Sequence, residues 1–234
     1  MKDAALQEEY FDQVAYRDPM HPVVGAYADP KVEFIKQYVP LGGRILDVGC
    51  GNGIFTLRFA NAGARVTGPD YSRHLLGQNS HSPLVCGDAT SLPFPDGSFD
   101  VVFEANVLHH VPDRERVIAE MKRASRRYVV LLEPNRYNPL MLGFALAVRA
   151  ERAGLKSCMS RLRTEAASCG LRVVKGLTTG MISQNNTPAV LVPLLRRFDR
   201  PIWWGEYLVL IAEKSDGRAL EGSASDGAKS SVIR

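Results

Sequence analysis

The stretch Ile45–Gly53 is where the chain is best equipped to hold a ligand. An apolar run reaches Asp47, and Gly49, Gly51 and Gly53 then alternate with Cys50 and Asn52 before a helix-like segment begins at Ile54. Glycines let the backbone turn tightly and lie flush against a ligand, because no Cβ blocks the approach. The N-terminus of a following helix offers N–H groups to a carboxylate or phosphate. The pattern predicts a small anionic or zwitterionic ligand at the first strand-to-helix turn of an α/β sheet. It departs from the dinucleotide fingerprint, whose third glycine would fall on Ile54. No Gly-Lys-Ser/Thr follows, which excludes a triphosphate-binding loop.

The elements that would position this loop can be read from short apolar runs. Strands are expected at Arg44–Val48, Arg65–Pro69, Leu84–Cys86, Phe99–Ala105 and Arg127–Glu133, with helices at Ile54–Ala62, Ser72–Gln78 and Arg114–Ala124. Strands alternating with helices predict a parallel sheet covered on both faces. Two regions fall outside that alternation. The N-terminal one holds Tyr10, Phe11, Tyr16, His21 and Tyr27, then a helix-like Pro30–Tyr38. The second begins at Pro134. It carries a helix from Leu140 to Glu151 that is apolar on nearly every side, a helix Arg161–Ser168, a strand Leu171–Leu177 and an irregular stretch Met181–Trp204. A helix apolar all round must be buried or face something greasy. A last strand is expected at Glu206–Glu213.

The run Asp47-Val48-Gly49-Cys50-Gly51-Asn52-Gly53 resembles the first motif of class I S-adenosylmethionine-dependent methyltransferases. Val66–Ser72 matches the acidic end of that family's second strand, although Pro69 stands where an apolar residue is usual. The segments Gly87-Asp88-Ala89 and Leu92–Asp100 resemble the subgroup that includes ubiquinone and menaquinone methyltransferases. The resemblance covers about Arg44 to Pro134. It implies a Rossmann-like α/β fold with a seven-stranded, mostly parallel sheet whose last strand is antiparallel. It implies S-adenosyl-L-methionine as cofactor, held by Asp47, Gly49, Cys50, Gly51, Asn52 and Gly53, by Asp70 on the ribose hydroxyls with Tyr71 beside it, and by Asp88 and Ala89 on the adenine. The backbone carbonyls of Glu104 and Ala105 would meet the ammonium group.

Methyl transfer from a sulfonium mainly needs positioning and exclusion of water. An oxygen acceptor of high pKa, or a carbon acid, also needs a base. Candidates are His109, His110, Glu104 and His21, with His109 preferred as nearest the reactive end in the family pattern. Glu133 and Asn135 are expected at the same sheet edge. The implied organisation is a single domain, residues 1–214. It divides into an N-terminal flap (1–40), a cofactor core (41–133), a substrate-side insertion with the sixth strand (134–205) and the last strand (206–214). Residues 215–234, rich in Ser, Gly, Ala and Asp, are expected to be disordered.

Composition narrows the remaining choices. A net charge of +4 with scattered arginines argues against nucleic acid. Cys50, Cys86, Cys158 and Cys169 form no C-x-x-C pair, so no metal is expected, and Cys50 and Cys86 read as small buried fillers. A reducing cytoplasm is the expected location, and the polar, acidic Met1–Tyr10 predicts no signal peptide. The apolar run Leu140–Val148 is shorter than the ~20 residues that a membrane span needs. The acceptor is expected to be a small or lipid-like molecule roofed by that helix with Met181, Trp203 and Trp204. The same residues would alternatively form a dimer contact. Two other functions stay open: cofactor binding without turnover, and an NAD-dependent oxidoreductase.

Overall fold

The computed structural model describes residues 15–81 and 83–215. The expectations for Tyr10, Phe11 and residues 216–234 lie outside them. The chain runs through α1 (Pro22–Lys36), β1 (Arg44–Val48), α2 (Ile54–Asn61), β2 (Arg65–Asp70), α3 (Arg73–Gln78), β3 (Leu84–Cys86) and β4 (Phe99–Ala105). It continues through α4 (Arg114–Ala124), β5 (Ser125–Pro134), α5 (Pro139–Ala147), α6 (Met159–Ser168), β6 (Leu171–Thr179), a short α7 (Val192–Leu195) and β7 (Tyr207–Lys214). The strands form one seven-stranded sheet in the order β3-β2-β1-β4-β5-β7-β6. β1 pairs in parallel with β2 and β4, whereas β7 lies antiparallel between β5 and β6. The expected sheet is therefore the observed one.

Period-two alternation divides the core into two layers. Ile45, Phe103 and Val130 face one side and pack with Phe55 and Phe59 of α2 and Tyr27 of α1. Their neighbours Leu46, Val102 and Leu131 face the other, against Val117, Ile118 and Met121 of α4 and Leu162 of α6. Both faces of the parallel strands are buried, which is why they read as continuous apolar runs. Strand order reverses at β1, with β2 on one side and β4 on the other. In such sheets a crevice opens beyond the carboxyl ends of the strands at that point.

Four local expectations are corrected. First, α1 begins at Pro22 and continues through Pro30, where the sequence predicted a start. Pro22 occupies the first turn, where its missing N–H costs nothing, and a buried stripe including Val24, Tyr27 and Ile35 holds the helix on the sheet despite Pro30. Second, the long apolar helix ends at Ala147, and Arg149–Lys156 forms a 3₁₀ segment. Third, α5 is not buried: Ala145 is its one buried residue, and Leu140, Leu142 and Leu146 are 61%, 43% and 59% exposed. Fourth, Cys86 is exposed because β3 is an edge strand.

Candidate functional site

The glycine loop is laced to the end of β2. Gly49 and Cys50 N–H both donate to the Pro69 carbonyl (2.8 and 3.2 Å), and Gly53 N–H donates to the Cys50 carbonyl (2.9 Å). Gly51 N–H donates to Asp70 Oδ2 at 2.7 Å. These four N–H groups therefore already have protein acceptors. Their role is to set the loop's shape. A Cβ on Gly49, at φ +68°, would lie 2.2 Å from Val107 Cγ2, so packing demands glycine there. At Gly51, φ +50°, the nearest atom to a Cβ is Leu75 Cδ1 at 3.9 Å, an ordinary contact, so the backbone conformation rather than crowding favours glycine there. Asn79 braces the loop, its side-chain amide donating to the Gly51 carbonyl at 3.3 Å.

The acidic residues hold this loop in different ways. Asp47, expected near the ligand's ammonium, is buried and accepts from Thr56 Oγ1 at 2.6 Å, in the first turn of α2. Burial pushes its carboxyl up to about 7. A carboxylate there also complements the helix N-terminus. Asp70 accepts from Gly51 N–H and, through Oδ1, from Ser72 N–H at 2.8 Å. Burial raises its pKa above the ordinary carboxylate value. A carboxylate offers about four acceptor positions, so these bonds leave capacity for a ligand hydroxyl. Tyr71 is 62% exposed at the same edge. Asp88 is exposed and accepts from Thr90 N–H at 2.8 Å, with Ala89 half-buried beneath it.

At the ends of β4 and β5 the candidate bases separate. Glu104 is fully buried, accepting from Val107 N–H (3.0 Å) and Leu132 N–H (3.1 Å). It stitches the two strands together and cannot reach a ligand. His21 caps α1, its Nδ1 accepting from Val23 N–H at 3.2 Å. His109 is buried with Nδ1 3.1 Å from Glu133 Oε2 and Nε2 3.4 Å from Glu151 Oε2. The attraction and hydrogen bonds of these carboxylates outweigh burial and push its imidazole up to about 10. Both ring nitrogens of His109 therefore face carboxylates, which favour its protonated form. His110, tilted against it with ring centroids 3.9 Å apart, is driven down to about 3 by burial and by the His109 charge. His109, His110 and Glu151 bring three ligand-type atoms within 4.8 Å of one another.

Glu133 is the hub of a buried network. Besides His109 it accepts from Leu108 N–H (3.1 Å) and Ser157 Oγ (3.1 Å), and it meets Arg114 at 3.4 Å. Arg114 in turn grips Glu165 through two bonds of 2.9 Å. Asn135 serves as a clip: its Nδ2 donates to the carbonyls of Trp203 (3.1 Å) and Gly205 (2.8 Å). Asn138 caps α5 and donates to the Trp204 carbonyl at 2.9 Å.

A cavity of about 790 Å³ opens at this edge, its wall including Tyr16, Asn106, His110, Phe144, Met181 and Glu206. The run Ser183–Thr187 forms its polar side. Phe144 and Met181 stand where the sequence suggested a roof. Trp203 does not: it is 75% exposed and off the wall. Residues 16 and 17 join the cavity to the loop. Arg17 receives a bond from the Asn52 side chain (3.0 Å), donates to Asn185 Oδ1 (3.2 Å) and reaches the Thr187 carbonyl (2.8 Å). Tyr16 lies within the electrostatic reach of both Asp70 and Glu151.

Sequence reasoning missed several of these residues. Asn106 has φ 60°, the one positive φ outside glycine among the described residues, and its side chain donates to Tyr27 Oη at 3.2 Å. Non-glycine residues in that region cluster at functional sites. Arg17, Asn79 and Glu206 also escaped notice, because their partners lie far away in sequence. Burial raises Glu206, opposed by the nearby Lys31.

Comparison with known proteins bears on the same segment. Residues 46–131 match the family described as "Methyltransferase domain". The chain is 38% identical over 96 residues to the 27-O-demethylrifamycin SV methyltransferase of Amycolatopsis mediterranei, covering 36% of this chain and 35% of the relative. It is 37% identical over 118 residues to the demethylmenaquinone methyltransferase of Bacillus licheniformis, covering 45% and 50%. The matches thus span half or less of these relatives. Among solved structures, a SAM-dependent methyltransferase from Thermotoga maritima, described as a possible histamine N-methyltransferase, superposes with a TM-score of 0.65. It is 18% identical, over 82% of this chain and 91% of that one, which establishes a shared fold.

Proposed function

We propose that this chain, whose residues 46–131 carry a methyltransferase domain, transfers a methyl group from S-adenosylmethionine to a small or medium-sized organic acceptor. The observation that carries the proposal is the shared wall between the glycine loop and the cavity. Tyr16 lines the cavity, and the next residue, Arg17, bonds both Asn52 of the loop and Asn185 of the cavity wall, so a cofactor laid along the loop would present its far end to the cavity.

The residues suit that cofactor. Asp70 retains acceptor capacity for ribose hydroxyls, and Gly51 offers bare backbone beside it. Asp88 and Ala89 lie at the next strand end for the adenine, and the carbonyls of Glu104 and Ala105 at the end of β4 for the ammonium. Bound S-adenosylmethionine supplies a methyl group already activated on sulfonium. The chain's part is then to orient the acceptor and exclude water. Phe144 and Met181 supply the apolar wall, Asn106 and Ser183–Thr187 the polar contacts. If the acceptor must lose a proton, Glu206 is the group with a suitable environment: it lines the cavity, and burial lifts its carboxyl toward neutrality. His109 holds the neighbouring turn through its contacts with Glu133 and Glu151.

The relatives act by name on dissimilar acceptors, so acceptor identity and the methylated atom are questions for direct assay. Calorimetry should show binding of S-adenosylmethionine or S-adenosylhomocysteine. Tighter binding of NAD than of both would overturn the cofactor assignment in favour of an oxidoreductase. Mass spectrometry of cell-extract metabolites that gain a methyl group identifies the acceptor. Cofactor binding with no S-adenosylhomocysteine formed from any extract would favour a binding protein without turnover. We place the protein in the cytoplasm; among the described residues no helix is long and apolar enough to cross a membrane.

A further inference from the structure

The cavity mouth lies in an exposed apolar face that the proposed reaction does not require. Leu140 and Leu191 line the cavity and are also 61% and 43% exposed. Around them Leu142, Leu146, Leu194 and Trp203 are exposed as well. The Asn135 and Asn138 clips hold residues 203–205 against the start of α5, so these side chains belong to one surface. Large apolar side chains scattered singly are ordinary, whereas a contiguous group marks an interaction site.

The charges around this face choose its partner. Residues 136–156 carry Arg136, Arg149, Arg152 and Lys156 against Glu151 alone, and residues 189–204 carry Arg196, Arg197 and Arg200 against Asp199 alone. Glu151 faces inward to His109. Elsewhere several exposed arginines have carboxylate partners, as Arg126 has Asp100 and Arg172 has Glu213. An apolar face bordered by cations fits the headgroup layer of a bilayer with anionic lipids.

We propose that α5, α7 and Trp203 dock this chain on an anionic phospholipid surface, with the cavity mouth opening toward the lipid. An acceptor dissolved in the bilayer would then enter without crossing water. The docking stands on the surface alone; the entry of an acceptor rests on the function proposed above.

The test is vesicle cosedimentation of the full chain with phosphatidylcholine, with and without phosphatidylglycerol, and without cofactor. The chain should bind the anionic vesicles and be released by salt. Each basic residue at the surface should contribute roughly fivefold to partition. Leu142 and Leu146 lie off the cavity wall, so L142S/L146S should lower binding at least tenfold while cofactor affinity and melting temperature hold. The protein has two tryptophans. With Trp204→Phe, the emission of Trp203 should shift to the blue on anionic vesicles. No binding to anionic vesicles, or an unshifted Trp203 emission, overturns the proposal. So does a dimer seen in sedimentation that L142S/L146S disperses, since the face would then join two copies. Vesicle binding without any cofactor binding would instead defeat the methyltransferase reading and leave docking intact.

Discussion

The two halves of the sheet's carboxyl edge are built in opposite ways. At the ends of β1 and β2, polar groups are held in place by the chain: four loop N–H groups have backbone or Asp70 acceptors, and Asp47 is tied to Thr56. Around α5 and α7, apolar side chains stand in the open and cations outnumber carboxylates. The first half is finished before any ligand arrives, as a general cofactor site should be. The second is incomplete without something to cover it. Preorganisation limits the cost of binding, whereas an open face leaves the choice of partner to chemistry outside the chain.

The sharpest test of the rigid half is its hub. Glu133→Ala would leave His109 and Arg114 as buried cations without their shared partner. Breaking buried pairs this way costs about 3–5 kcal/mol, and urea unfolding should record it. A loss within the ordinary surface range would show that the network is not cooperative.

Titration of the paired imidazoles gives the next effect. His109 has a folded pKa of about 10, above its ordinary value of 6.5. Its contribution is full below about 6.5 and is lost as pH rises through about 10. His110 is depressed to about 3, so stability is lost as pH falls from about 6.5 toward that value. His109→Gln should flatten the alkaline arm of the unfolding profile and His110→Gln the acid arm. If both variants keep the parent's profile, the charge assignment fails.

Asp70 joins loop shape to ligand binding. The resemblance assigns Asp70 to the ribose hydroxyls, so Asp70→Ala should weaken the cofactor. The observed bonds to Gly51 and Ser72 add a structural loss of about 1–3 kcal/mol. Cofactor affinity should fall at least tenfold, since hydrogen bonds to charged groups contribute about 1.5–3 kcal/mol each. A folded variant with unchanged affinity refutes the ribose role.

The open half gives smaller effects in solution. Phe144→Ala enlarges the cavity and should slow methyl transfer about tenfold or more at unchanged cofactor affinity. Trp203→Ala should leave transfer to a water-soluble acceptor nearly unaltered, because the side chain is off the wall. A strong effect of Trp203→Ala on soluble turnover would return that residue to the pocket.

Legibility in the sequence follows the same divide. Strand positions were readable because burial on both faces writes a continuous apolar run, as in Phe99–Ala105. The glycine loop was readable because Gly49 has no substitute at its position. The start of α1 was hidden by Pro30, whose local preference is overridden by packing of Tyr27 and Ile35. The state of His109 was hidden because it depends on Glu133 and Glu151, both distant in the chain. The exposure of α5 was hidden because composition gives an apolar helix no direction.

Asn135 and Asn138 grip residues 203–205 by the carbonyls of Trp203, Trp204 and Gly205, not by the side chains there. Only Gly205 is constrained in type, since a Cβ there would lie 2.7 Å from the Thr179 nitrogen. The side chain at position 203 is therefore free to drift without unmaking the fold. Substitution there changes what this edge touches while leaving the clip unchanged, so the outer surface and the architecture answer to different residues.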